Sequence, residues 1–165
     1  MQGRRAVLRR TVRYAAIWLL LAGLAYLALD TLVSPKVARP IVTDGHGTVV
    51  IERSHDQHFY VEGAINGHSV TFLVDTGASV VSVNEELAGK IGLSAGSPTI
   101  FNTANGRALG RIVPEASVRV GGIRVDGIRV GIGNSERALL GQNFLKKVQL
   151  TQGADRMVLR AINSP

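Results

Sequence analysis

From Thr48 to Ile162 the chain is written in short Val- and Ile-rich runs: "TVVIE", "FYVEGAI", "SVTFLV", "VVSV", "RIVPEASVRV", "IRVDGIRVGI" and "RMVLRAI". The turn dipeptides Asn66-Gly67, Asn105-Gly106, Gly121-Gly122 and Asp126-Gly127 punctuate them. β-branched side chains suit a pleated surface, and runs this short bounded by such turns read as strands and hairpins. The pattern predicts a mainly β domain over residues 48–162, a small closed or rolled sheet. Val61, Gly63 and Ile65 alternate with their neighbours up to Asn66-Gly67, and Val70, Phe72 and Val74 alternate on the return. That is a hairpin delivering Asp75 at its far end. Helix is scarce. "NEELAGKI" (84–91) has an Asn84 cap and two acids in its first turn, and "NFLKKV" (143–148) allows one or two turns. The echo "VRVGG", "IRVDG", "IRVGI" over 118–132 is too brief for a solenoid; its Arg119, Arg124 and Arg129 fit a solvated face.

The net charge of +7 points toward nucleic acid until it is mapped. Seven of the 19 basic residues lie in residues 1–40 against the single acid Asp30, leaving 12 basic and 11 acidic residues in the rest. No aromatic–basic interleaving occurs there, so a nucleic-acid partner is not expected. "MQGRRAVLRRTVR" carries five arginines, and Tyr14 to Leu29 is an unbroken 16-residue apolar or aromatic run. A spanning helix needs about 17–25 apolar residues, and extension to Val33 reaches that length. Arginines before the span put the N-terminus in the cytoplasm. The expected organisation is a basic cytoplasmic arm (1–13), a transmembrane helix (14–33), an extended tether (34–47) and a β domain (48–162) outside the cytoplasmic membrane. A cleaved signal peptide is the alternative, but no clean small-x-small site follows the run. The absence of cysteine excludes a disulfide scaffold, a thiol nucleophile and thiolate metal sites.

In "TFLVDTGAS" (71–79) an apolar strand ends on a carboxylate, a hydroxyl and a glycine. Asp75 on a tight turn at a strand end is held rigidly, which suits acid–base work. Gly77 allows backbone to approach the carboxylate and its N–H to bond it. On residues alone, a buried structural aspartate is the other reading. Thr76 and Ser79 are poor candidate nucleophiles because no histidine is placed to activate them. His55 and His58 have H-x-x-H spacing without the acidic companion of a zinc site, so no metal is expected. Downstream, "ALLGQNFL" (138–145) sets two apolar residues and a glycine before a short helical stretch, and "FNTANGRALG" (101–110) reads as a hairpin around Asn105-Gly106.

"DTGAS", the "A-x-x-x-GL" stretch from Ala88 to Leu93, "TANG" and "LLGQNFL", in this order over roughly residues 56–160, resemble the retropepsin-like aspartic proteases, and most closely their bacterial membrane-anchored branch. The resemblance implies a single-lobed, closed acid-protease β-barrel with one or two short helices, here preceded by the transmembrane helix. It implies that Asp75 is the catalytic carboxylate, with Thr76, Gly77, Ala78 and Ser79 forming its loop. Leu139, Leu140, Gly141 and Asn143 would support that loop from behind. Thr103, Ala104, Asn105 and Gly106 would form a flap over a polypeptide substrate, a plain turn being the alternative. The viral branch often pairs an arginine in the second motif with an aspartate after D-T-G-A; Gln142 and Ser79 stand at those positions here. No second Asp-Thr-Gly or Asp-Ser-Gly occurs, since Asp44-Gly45 and Asp126-Gly127 lack the intervening hydroxyl and look like turns. The chemistry that the resemblance implies, needing no metal or organic cofactor, activates a water between two carboxylates that share a proton. A chain with one therefore implies a homodimer, each copy giving one Asp75 at the two-fold axis. The expected function is a membrane-anchored aspartic endopeptidase. The alternative is a non-catalytic, membrane-tethered β domain that binds peptides or envelope partners.

Overall fold

The computed structural model describes residues 2–33, 37–38, 47–93, 95–103 and 106–162, with side chains of the first helix given for residues 14–30. The chain divides into two units, residues 1–34 and 35–165. The first contains one helix, α1 (Gln2–Val33), which runs unbroken through both the expected arm and the expected span. Its Ala, Leu and Arg residues are strong helix formers. From Tyr14 to Asp30 its side chains are exposed, Trp18 by 71% and Leu19 by 75%. Among the described residues no helix is long and apolar enough to cross a membrane; the expected span extends to Val33, three residues past the last described side chain of α1. The expected tether lies outside the described residues except for a two-residue strand, β1 (Val37–Ala38), and Gly47.

The second unit continues with β2 (Thr48–Glu52), β3 (Tyr60–Ile65), β4 (His68–Val74), β5 (Val81–Asn84), α2 (Glu85–Lys90), β6 (Ser97–Thr103), β7 (Gly106–Val120), β8 (Ile123–Gly133), β9 (Ala138–Leu140), α3 (Gln142–Leu145), β10 (Val148–Gln152) and β11 (Arg156–Ala161). The larger sheet runs β1-β3-β4-β9-β5-β8-β7-β6, and a further pairing of β3 with β7 closes six of its strands into a barrel. Closure removes the edges those six strands would otherwise present. Val61, Ile65, Phe72, Val81, Val83, Val118, Val130, Ile132 and Leu140 are fully buried. Each such side chain contributes about 1.5–3 kcal/mol by leaving water. A three-stranded antiparallel sheet, β10-β11-β2, adds Val49, Ile51, Met157 and Leu159 to the same core.

Two local features decide where the site falls. Asn66 and Gly67 take φ of 49° and 86°, the positive pair a two-residue hairpin needs. Tyr60 then pairs with Leu73, and β4 ends at Val74 with Asp75 next in the chain. Asn84 caps α2, its Oδ1 accepting the Leu87 N–H at 2.8 Å, as the sequence led us to expect. Asp126-Gly127, expected as a turn, lies inside β8 instead. Gly127 has φ 69°, and the β7–β8 register shifts there and again near Glu115, whose φ is 56°. These are bulges, one on each strand, and they let Pro114 sit in β7 without a ladder N–H. The helix expected over 143–148 is shorter and earlier, Gln142–Leu145, because Val148 already belongs to β10.

Candidate active site

Two strands aim the Asp75 loop. β4 runs beside β9 in parallel, with Leu73 opposite Leu139 and Val74 opposite Leu140. The Asp75 N–H then donates to the Leu140 carbonyl at 3.2 Å. The chain turns at once: the Ala78 N–H donates to the Asp75 carbonyl at 3.3 Å, and the Gly77 N–H donates to Asp75 Oδ1 at 2.8 Å. One carboxylate oxygen is thus fixed by the loop's own backbone. Among the described residues Oδ2 has no hydrogen-bond partner. Asp75 and Ala78 are partly buried, while Thr76, Gly77 and Ser79 are exposed, so the loop lies at the surface of the single chain.

The second motif packs directly behind it. Gly141 is buried, and a Cβ there would lie 2.2 Å from the Val80 carbonyl oxygen and 2.9 Å from that of Ala78. The first N–H groups of α3, which have no partner within a helix, are used on the loop: Gln142 N–H to the Ala78 carbonyl at 2.8 Å and Asn143 N–H to that of Ser79 at 3.2 Å. The Asn143 side chain joins two strands, accepting from Val81 N–H at 2.8 Å and donating to the Arg129 carbonyl at 2.7 Å. Gln142 Nε2 donates to the Thr76 carbonyl at 2.8 Å. Where the viral pattern has an arginine–aspartate pair, Gln142 here holds the loop through its backbone, and Ser79 remains exposed. Leu140 is fully buried and Leu139 half-buried, on opposite faces of β9.

The candidate flap is a hairpin of β6 and β7, paired from Ser97 opposite Ile112 to Thr103 opposite Gly106. Thr103 Oγ1 donates to the Gly106 carbonyl at 2.8 Å. Ala104 and Asn105, its expected tip, lie outside the described residues. The packing at the root of this hairpin is not among the features expected from the sequence. Phe101 fills a slot made by glycines: a Cβ on Gly110 would lie 2.6 Å from its ring, one on Gly131 2.9 Å and one on Gly133 3.9 Å. The Gly131 position also lies 3.3 Å from Val80, the residue after "DTGAS", so the root of the hairpin adjoins the end of the Asp75 loop. The signal was present as glycines in the "VGIG" and "ALGR" stretches, where a strand interior without a side chain marks a close approach.

A second missed cluster links residues far apart in sequence. The Tyr60 hydroxyl donates to Asp56 Oδ2 at 2.6 Å and accepts from Arg137 Nη1 at 2.9 Å, with the guanidinium 5.2 Å from the Tyr60 ring centre. Burial pushes the Tyr60 phenol up, with the Asp56 bond adding to it and Arg137 opposing. Burial pulls Asp56 up too, but hydrogen bonds from Tyr60, the His58 backbone and Ser54 outweigh it and hold the carboxyl below its usual range. His58 Nδ1 lies 2.8 Å from the Asp56 carbonyl oxygen. Among the described residues no group of three or more His, Asp or Glu side chains is placed to hold a metal ion.

A closed barrel presenting one braced Asp-Thr-Gly loop per chain has the form of a single acid-protease lobe. Comparison with known proteins agrees. The family model of the gag-polyprotein aspartyl proteases matches residues 61–147. A crystal structure of a retropepsin-like aspartic protease from Rickettsia conorii is 30% identical, with a TM-score of 0.62, covering 70% of this chain and 91% of that one. An uncharacterized protein of Rickettsia prowazekii (strain Madrid E) is 34% identical over 106 residues, 61% of this chain and 46% of its own. A Sinorhizobium protein from the cobV 5′ region is 32% identical over 120 residues, 68% of this chain and 52% of its own. The chain spans about half the length of these curated relatives. It belongs to the retropepsin-like aspartic proteases.

Proposed function

We propose that this chain is a membrane-anchored aspartic endopeptidase whose active site is completed by a second copy of itself. The observation that carries the reading is the Asp75 loop: one carboxylate, fixed through Oδ1, on a braced loop at the surface of a single chain. Two such loops meeting at a two-fold axis bring two Asp75 carboxylates together. Carboxylates about 3 Å apart cannot both ionise easily, so they share one proton. The ionised member takes a proton from a water, whose oxygen bonds to the scissile carbonyl carbon. The protonated member gives its proton to the carbonyl oxygen. The resulting tetrahedral diol collapses with proton transfer to the amide nitrogen, and the C–N bond breaks. The chemistry calls for no metal or organic cofactor. A peptide lying as an extended strand under the β6–β7 hairpin is the substrate form a sheet-lined cleft accommodates.

The anchor and location belong to the same proposal. The apolar stretch from Tyr14 is helical and exposed along its described length. At 1.5 Å per residue, 14–33 is about 30 Å long, the thickness of a bilayer core. The arginine block before it favours a cytoplasmic N-terminus and a periplasmic β domain acting on unfolded or loop segments of membrane and periplasmic proteins. The test is hydrolysis of an unstructured polypeptide by the full chain in detergent over a dilution series. Activity per chain should fall on dilution as dimers dissociate. Binding of the polypeptide with no cleavage at any concentration would instead favour the non-catalytic peptide-binding domain.

A further inference from the structure

The pairing registers put several side chains on one face beside Asp75. Tyr60 pairs with Leu73, and Leu73 with Leu139. Their neighbours Val61, Phe72, Ala138 and Leu140 fill the barrel interior. Tyr60, Leu73 and Leu139 therefore share the opposite face, to which alternation along the strand also assigns Asp75. Arg137 reaches that face, because its guanidinium lies on the Tyr60 ring and bonds the Tyr60 hydroxyl. Asp56 grips the hydroxyl from the other side, and the Ser135 hydroxyl donates to the Arg137 carbonyl at 2.9 Å. Arg137 is exposed, and among the described residues no carboxylate stands within ion-pair distance of it. The guanidinium is therefore oriented by a neutral phenol and keeps donors for another acceptor.

We propose that Leu73, Leu139 and Arg137, the last held from beneath by Tyr60, which is only 4% exposed, form a substrate subsite for a carboxylate side chain, Glu or Asp, its stem on the two leucines and its carboxylate on Arg137. The proposal rests on the peptidase reading for the position of the peptide. Leu73 lies two residues before Asp75, about 7 Å along the strand. An extended peptide presents same-face side chains at that spacing, so the subsite reads a residue within about three positions of the cleaved bond. Two-fold symmetry repeats it on the other side of that bond.

The test uses the full chain in detergent and pairs of labelled peptides of identical composition. In one member Glu stands within three residues of the scissile position; in the other it is moved to a remote end, so any attraction to the basic N-terminal arm is equal. Binding is measured on Asp75→Asn and cleavage on the wild type. A charge-assisted hydrogen bond predicts a preference of about tenfold to a hundredfold for the near-Glu peptide in both readouts. Tyr60→Phe, which keeps the ring but frees the guanidinium, should shrink the preference, and Arg137→Glu should turn it toward Lys. Equal binding of the two isomers, or a ranking unmoved by Arg137→Glu, overturns the subsite. Absence of cleavage by the wild type with the binding preference intact rejects the peptidase reading and leaves the subsite standing.

Discussion

Asp75→Asn is expected to abolish hydrolysis of an unstructured polypeptide, with kcat/KM falling at least about a thousandfold, while the fold survives. The loss follows from the chemistry. An amide side chain neither takes a proton from water nor gives one to a carbonyl oxygen, and removing a positioned acid–base group costs about 10²–10⁴-fold. In the proposed homodimer both halves of the site would lose it together, because one gene would supply both. The survival follows from the geometry. The Asn side-chain oxygen still accepts the Gly77 N–H that Asp75 Oδ1 accepts at 2.8 Å, and the Asp75 backbone bonds to Leu140 and Ala78 are unaffected. Cleavage assays beside circular dichroism melts check both. Retained cleavage at the wild-type rate assigns the activity elsewhere, whereas loss of the melting transition would show Asp75 to be chiefly structural.

Gly141→Ala should lower both stability and rate, by another route. Its backbone is extended, so conformation is no obstacle. Space is: the new Cβ would lie 2.2 Å from the Val80 oxygen and 2.4 Å from the Val80 carbonyl carbon, both backbone atoms. Neither side can retreat cheaply, because α3 is bonded to Ala78 and Ser79 through the N–H groups of Gln142 and Asn143. Overpacking of this kind costs about 1–3 kcal/mol, which in a domain of this size lowers the melting temperature by about 5–15 °C. The loop it displaces carries Asp75, and a displacement near 1 Å costs about a hundredfold in rate. Gly77→Ala is the control. Its Cβ would meet only Asp75 Oδ1, at 3.2 Å, and its effect on melting should be much smaller. Equal melting temperatures for Gly141→Ala and the wild type would contradict this account of the brace.

The parts of the site readable in the sequence were those encoded locally. Asn66-Gly67 states its own turn, alternation on either side fixes the β3–β4 register, and that register delivers Asp75. Asn84 with its acidic first turn states its own helix. What escaped reading is encoded between distant segments. β9 has three residues, too short a run to announce a strand, and its identity as one comes from lying between β4 and β5. Asp126-Gly127 looks like any turn dipeptide, and only its partner strand makes it a bulge. Gly110 and Gly131 reveal their purpose once Phe101 is seen between them. Tyr60 and Arg137 are 77 positions apart and meet only because β3, β4 and β9 lie side by side.

In the proposed enzyme each chain holds half of an active site. Mixing wild type with Asp75→Asn at fixed total concentration, after full exchange of subunits, tests it most directly. If both Asp75 residues of a dimer are needed, activity falls with the square of the wild-type fraction, to about a quarter at an equal mixture. A linear fall, to about half, would mean that each chain works alone with the single Asp75 it carries, and would contradict the account.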